Sequence, residues 1–167
     1  VHVVMKYTVD DIDIYIMTHN RADYLMLSIE SLLNQSAGVS KITVLDNEST
    51  DNTLSAVERF SSRGVRYIRT KGFLGNFKKA QEIASGKYVM LFHDDDILHP
   101  LYLELALQVL NEKDDISLIT TRYTEFFDDD FPGMPESIVP DYYYFEKQKI
   151  LFWVFFNLRK ALCSDNI

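Results

Sequence analysis

The chain has 167 residues, enough for one domain with a sizeable core, and its 47% hydrophobic content excludes a disordered polymer. A net charge of −8 and a sequence pI of about 4.9 argue against nonspecific binding to nucleic acid or anionic lipid, because no excess positive charge is present to release counterions. A single cysteine, Cys163, rules out an intrachain disulfide and fits a reducing compartment, so a cytoplasmic setting is expected, at most at the inner face of a membrane.

The first two-thirds alternates strand-like and helix-like segments. Residues 12–17 form a short apolar strand, and 21–33 a helix with Ala22, Leu25, Ile29 and Leu32 on one face. Residues 41–45 read as a second strand, followed by a helix over 51–60 with Leu54, Val57 and Phe60 aligned and Asp51 as N-cap. A third strand spans 65–68. The helix over 73–85 sets Phe73, Phe77, Ala80 and Ala84 on one face, with Gly86 as its stop. A fourth strand covers 88–92. Pro100 opens a helix whose buried stripe is Leu103, Ala106, Leu107 and Leu110, and 116–120 reads as a fifth strand.

This alternation predicts an α/β fold with a mostly parallel central sheet and helices on both faces. Right-handed crossovers then bring every strand's carboxyl end to one edge. The pattern changes after Thr121. Residues 1–121 are expected to form one α/β domain, and 122–167 the start of a further, truncated region. Segment 142–162 looks helical but apolar nearly all round, with an uninterrupted apolar run at 150–156. That run is too short to span a bilayer, and it suits an oligomer contact or a membrane-proximal surface. No signal peptide is read at the N-terminus.

Three polar clusters end three of these strands: Thr18-His19-Asn20-Arg21, Asp46-Asn47-Glu48-Ser49-Thr50-Asp51, and His93-Asp94-Asp95-Asp96. Each alone is ordinary turn and cap chemistry. Three at one sheet edge, where ligands of open α/β sheets bind, are harder to assign to turns. Consecutive carboxylates repel and raise one another's pKa. Hard oxygens suit Mg²⁺ or Mn²⁺, so a divalent cation at the third cluster is favoured over a solvated acidic turn.

Four motifs carry a family resemblance: MTHNR at 17–21, VLDNESTDNT at 44–53, GKYVMLFHDDD at 86–96, and His99-Pro100. Over 12–110 the chain resembles the nucleotide-binding half of a family 2 glycosyltransferase with the Rossmann-like GT-A fold. The resemblance implies inverting, metal-assisted transfer of a sugar from a nucleoside diphosphate donor, UDP above all, to an acceptor hydroxyl. Polysaccharide or glycolipid biosynthesis is the implied setting, with a glycan or lipid-linked acceptor. By position, Thr18 and His19 border the base, Asp46 accepts from its N3–H, and Asp94 holds the ribose. Asn20, Arg21 and Asn47 complete the nucleotide-binding set. Asp95 ligates Mn²⁺ or Mg²⁺, with Asp96 helping directly or through water.

The chain departs from the family pattern at His93, where an Asp is frequent, at Met17, and at Lys78, where Asn is common. Lys71 and Lys78 are candidate phosphate contacts, with solvated lysines the equal alternative. The catalytic base is expected beyond Ile167, since Asp165 falls too early. Asp128-Asp129-Asp130 reads as a solvated run, and Tyr142-Tyr143-Tyr144 as core. The competing reading is a noncatalytic nucleotide-sugar-binding module docking through its apolar segment. A receiver-type domain would place its acidic cluster after the first strand, and a nucleotidyltransferase would want a Gly-rich loop there. P-loop chemistry is excluded by the lack of a Gly-Lys-Ser/Thr loop.

Overall fold

The computed structural model describes residues 5–72, 74–113 and 116–121. Four strands, β1 (Ile12–Thr18), β2 (Lys41–Asn47), β3 (Val65–Thr70) and β4 (Tyr88–His93), form one sheet in the order β3-β2-β1-β4. All three pairings are parallel, as the alternating pattern predicts. The helices are α1 (Ala22–Leu33), α2 (Thr53–Glu58), α3 (Gly75–Ile83) and α4 (Tyr102–Glu112). Contacts divide the chain into Val1–Asp114 and Asp115–Ile167. The segments around 128–130, 142–144 and 150–156, together with Cys163 and Asp165, lie outside the described residues.

β1 is buried at every position because it is central and covered on both faces. Its Ile12, Ile14 and Ile16 join Ile42 and Val44 of β2, Leu25, Ile29 and Leu32 of α1, Val57 of α2 and Leu103 and Leu107 of α4 in the main core. On the other face, Tyr15 and Leu45 pack with Ala80 of α3. The apolar stripes read from α1 and α4 are therefore the buried ones.

The α3 stripe differs. Phe77 is 46% exposed and Ala84 is also exposed, while Ala80 is buried. Gly72 and Leu74 both take left-handed backbone, at φ 80° and φ 61°, so the helix starts only at Gly75. The inward positions become Asn76, Ala80 and Ile83, one residue off the expected face. Leu54 of α2 is likewise exposed. The expected fifth strand is not formed: 116–121 has no strand assignment. A short apolar run becomes a strand only beside a ladder partner, and among the described residues β4 pairs with β1 alone. β4 consequently alternates, with Val89 and Leu91 exposed. No helix of the described residues is long and apolar enough to cross a membrane.

The amino ends of β1 and β4 are fastened through Asp13. Its buried carboxylate accepts from Ser85 N (2.6 Å) and Gly86 N (2.7 Å), and Lys41 Nζ lies 3.2 Å away. Burial opposes its ionisation, but these donors outweigh burial and hold its pKa below the usual value. Gly86 is not the stop of α3, which ends at Ile83 with Ala84 as its cap. A Cβ at Gly86 would lie 2.7 Å from the Asp11 carbonyl oxygen, so the backbones approach too closely for any side chain.

Candidate active site

Because β2 and β4 flank β1 on opposite sides, the strand order reverses at the β1–β4 boundary. That switch point is where open α/β sheets bind ligands. A cleft of about 300 Å³ lies there, lined by Met17, Thr18, His19, Arg21, Asn47, Asn76 and Asp94. Five of the seven nucleotide-binding residues expected from sequence thus meet in one cleft, although they come from three separate strand ends.

The β1–α1 and β2–α2 loops are laced together. Asn20, at φ 54°, donates its N–H to Ser49 Oγ (2.8 Å) and accepts from Thr50 N (2.7 Å) through Oδ1. Asp51 accepts from Thr53 N (3.1 Å) and from Ala22 N (3.1 Å), so one carboxylate serves the first turns of both α1 and α2. His19 Nδ1 lies 2.6 Å from the Asn47 carbonyl, and Asn20 Nδ2 is 3.2 Å from His19 Nε2. The first contact makes Nδ1 the donor, leaving Nε2 to accept from Asn20. The ring is exposed and held in one orientation by these two contacts.

Asp46 sits beneath the cleft rather than on its lining. It is 1% exposed. Its Oδ1 accepts from Ser49 N (3.0 Å) and from the Ser49 hydroxyl, and its Oδ2 accepts from Tyr67 OH (2.5 Å). Burial, then the neighbouring Asp46, push the Tyr67 pKa up, which keeps the phenol a donor. Two buried oxygens have no hydrogen-bond partner and belong to lining residues: Thr18 Oγ1 and Asn47 Oδ1. An unmet buried polar atom is costly unless a ligand or water completes it.

The acidic turn at the end of β4 is set by its backbone. Ser28 of α1, itself buried, places its hydroxyl 2.8 Å from Asp94 O and 2.7 Å from Asp96 O, so its one hydrogen serves both carbonyls. One turn on, Ser31 Oγ accepts from Leu98 N (3.1 Å), and Gln35 bonds His99 O (2.8 Å) and Leu103 N (3.0 Å). Two serines of α1 and Gln35, just beyond its end, thus hold 94–103 in place. The carboxylates diverge in environment. Asp94 is 6% exposed and lines the cleft, whereas Asp95 is 48% exposed. Desolvation, and then Asp95 and Asp94, raise the Asp96 pKa against the pull of His93. Arg21 Nη1 lies 2.5 Å from Asp95 Oδ2 and 3.4 Å from Asp94 Oδ1.

A cation already sits against Asp95, which shows that the position takes positive charge. Among the described residues, no three His, Cys, Asp or Glu side chains gather into a metal cage. The matching family model, described as glycosyl transferase family 2, covers residues 13–161. This chain belongs to glycosyltransferase family 2.

Among relatives of this family 2 chain is the chondroitin synthase of Pasteurella multocida, 30% identical over 116 residues, which are 66% of this chain and 12% of that protein. Residues 1–349 of S. aureus TarS, solved in complex with UDP, superpose with a TM-score of 0.55 at 23% identity, covering 61% of this chain and 32% of that one. The mannosyltransferase PcManGT from Pyrobaculum calidifontis, in complex with GDP-Man and Mn²⁺, gives 0.53 at 20% identity, with 60% and 32% covered. The shared fold is the Rossmann-like GT-A sheet. The chain spans no more than about a third of each of these proteins.

Sequence reasoning overlooked Asn76, Tyr67 and Ser28. Asn76 lines the cleft from the first turn of α3, where its Oδ1 accepts from the Thr70 hydroxyl. The signal for it was available: β3 shares the same sheet edge, so the residues following β3 belong in the search as well. The lysines weighed as phosphate contacts are both exposed and off the lining; Lys71 lies 3.9 Å from Glu48.

Proposed function

We propose that this family 2 chain holds a nucleoside diphosphate sugar, UDP-linked above all, for inverting transfer to an acceptor hydroxyl in polysaccharide or glycolipid assembly. The observation that carries this is the switch-point cleft, which joins two unpaired buried oxygens, Thr18 Oγ1 and Asn47 Oδ1, to the carboxylate of Asp94, with Asp95 next to it in the chain. The UDP complex of TarS and the GDP-Man and Mn²⁺ complex of PcManGT support a nucleotide and a divalent ion on this fold.

In this reading His19 stacks on the base, and Thr18 and Asn47 meet its polar edge. Asp46 keeps the Asn47 loop in shape from below through Ser49 and Tyr67. Asp94, aimed into the cleft and nearly buried, takes the ribose hydroxyls. Asp95, with Asp96 beside it, would hold Mn²⁺ or Mg²⁺, which when bound stabilises negative charge on the departing diphosphate. The preorganised backbone of the acidic turn, fixed by Ser28, avoids reorganisation as that charge develops. A base on the acceptor side takes the hydroxyl proton.

Calorimetric titration with UDP, first with Mn²⁺ and then with EDTA, tests this on wild type and Asp95→Ala. Binding that needs Mn²⁺ and disappears in Asp95→Ala is expected. No binding of UDP, GDP or dTDP by folded protein would overturn it.

A further inference from the structure

We infer that Arg21 is the resident counter-ion of the acidic turn, competing with the divalent cation for Asp95, so that metal binds well only together with a nucleoside diphosphate whose phosphates take over the guanidinium. This rests on the donor-site reading and adds to it a coupling between the two ligands.

The first ground is that one nitrogen serves two carboxylates. Arg21 Nη1 is 2.5 Å from Asp95 Oδ2 and 3.4 Å from Asp94 Oδ1. The second is that both backbones are pinned. Arg21 precedes α1 and its carbonyl accepts from Leu25 N (3.0 Å), while Asn20 before it is tied to Ser49 and Thr50. Across the cleft, Ser28 fixes the carbonyls of Asp94 and Asp96. Neither loop needs to move for the guanidinium to leave; only the long side chain does, and it is 51% exposed.

A hard cation held by the Asp95 carboxylate, through either of its oxygens, would lie within a few ångströms of that guanidinium. A guanidinium that close to a divalent ion repels it, less so where solvent screens the pair. The two cations therefore oppose each other at Asp95 until anions separate them. A diphosphate supplies those anions, and a guanidinium matches phosphate oxygens in geometry as well as charge. Arg21 already lines the cleft, so its new partner needs no path through the protein. Coupling of this kind is reciprocal: metal must tighten nucleotide by the factor that nucleotide tightens metal.

The experiment measures Mn²⁺ affinity by electron paramagnetic resonance of free Mn²⁺, with and without saturating UDP, on the full chain and on Arg21→Gln and Arg21→Lys. Thermal melts check folding. Arg21→Gln is expected to bind Mn²⁺ alone about tenfold more tightly than wild type and to lose about tenfold or more of the UDP-induced tightening. Arg21→Lys, which keeps the charge, is expected to stay within about threefold of wild type for Mn²⁺ alone. Equal Mn²⁺ affinity of wild type and Arg21→Gln without nucleotide, while UDP with Mn²⁺ still binds wild type, would overturn the competition and leave the donor-site reading standing. Tightening by Arg21→Lys as large as by Arg21→Gln would overturn it too, because charge would not be the cause. Folded wild type that binds no UDP with Mn²⁺ would instead bring down the donor-site reading.

Discussion

The carboxyl ends of β2 and β4 lie on either side of β1 at the same sheet edge, and each presents a carboxylate, yet the two are used in opposite ways. Asp46 is buried and accepts from Ser49 N, the Ser49 hydroxyl and Tyr67 OH. Asp95 is half exposed and touches one long side chain, Arg21. A carboxylate saturated by short neighbours cannot be released without breaking the fold. One balanced by a single exposed arginine can change partner at small cost. The difference lies in the partners, since the residue type is the same.

Substituting both positions tests that contrast most severely. Asp46→Ala leaves three donors unmet, two of them buried, and is expected to cost about 3 kcal/mol of stability in urea denaturation. Asp95→Ala should change stability by under about 0.5 kcal/mol, as exposed ion pairs do. Comparable losses would end the distinction. The reverse ordering is expected for ligand: Asp95→Ala should weaken UDP binding in Mn²⁺ by at least about a hundredfold, some 2.7 kcal/mol.

The β4 arm also depends on how its strand is entered. Gly86→Ala puts a Cβ 2.7 Å from the backbone oxygen of Asp11, with no flexible side chain to yield. A loss of about 2 kcal/mol is expected by thermal or urea denaturation. Ser28→Ala should cost less, about 1 kcal/mol, since a single shared hydroxyl is removed. It should nevertheless weaken UDP with Mn²⁺ severalfold in calorimetry, because the acidic turn loses its fixed backbone. A substitution on β2's side such as Leu54→Ala, at an exposed position, serves as the neutral control.

Periodicity made the four described strands, the α1 and α4 stripes and the common sheet edge legible, because those depend on local pattern and on the handedness of crossovers. It misplaced α3, where the left-handed residues Gly72 and Leu74 shift the start by two positions. It also read 116–120 as a strand from composition, although a strand exists only with its ladder partner. In the site, cluster positions at strand ends placed Thr18, His19, Arg21, Asn47 and Asp94 at one sheet edge, and all five line the same cleft. What one chain cannot display is the partner of a side chain. Nothing local marks Tyr67 as the donor to Asp46, or Ser28, Ser31 and Gln35 as the clamp on 94–103. The hint in the latter case was their spacing, which puts Ser28 and Ser31 along one edge of an otherwise apolar α1 face and Gln35 just past its end.

The smallest expected effect compares the two arms through acid. Burial opposes ionisation of Asp51, after β2, but donors from Thr53 and Ala22 outweigh it and lower its pKa. Its contribution is therefore complete above the ordinary carboxylate value, near pH 4, and is lost as pH falls through the lower folded value. Asp96, after β4, has the opposite sign: desolvation and its acidic neighbours raise its pKa. Ionising it costs stability, so that penalty grows as pH rises from about 4 through the raised value and is complete above it. Both side chains are solvent-screened, and each effect should stay under about 1 kcal/mol. In EDTA at neutral pH, Asp51→Asn should lower the urea midpoint and Asp96→Asn should raise it. The Asp96→Asn difference should fade by pH 4, while the Asp51→Asn difference should persist there and fade only below it. Shifts of the same sign in the two variants would show that the acidic turn carries no stored repulsion, and with it would go the electrostatic half of the contrast between the two strand ends.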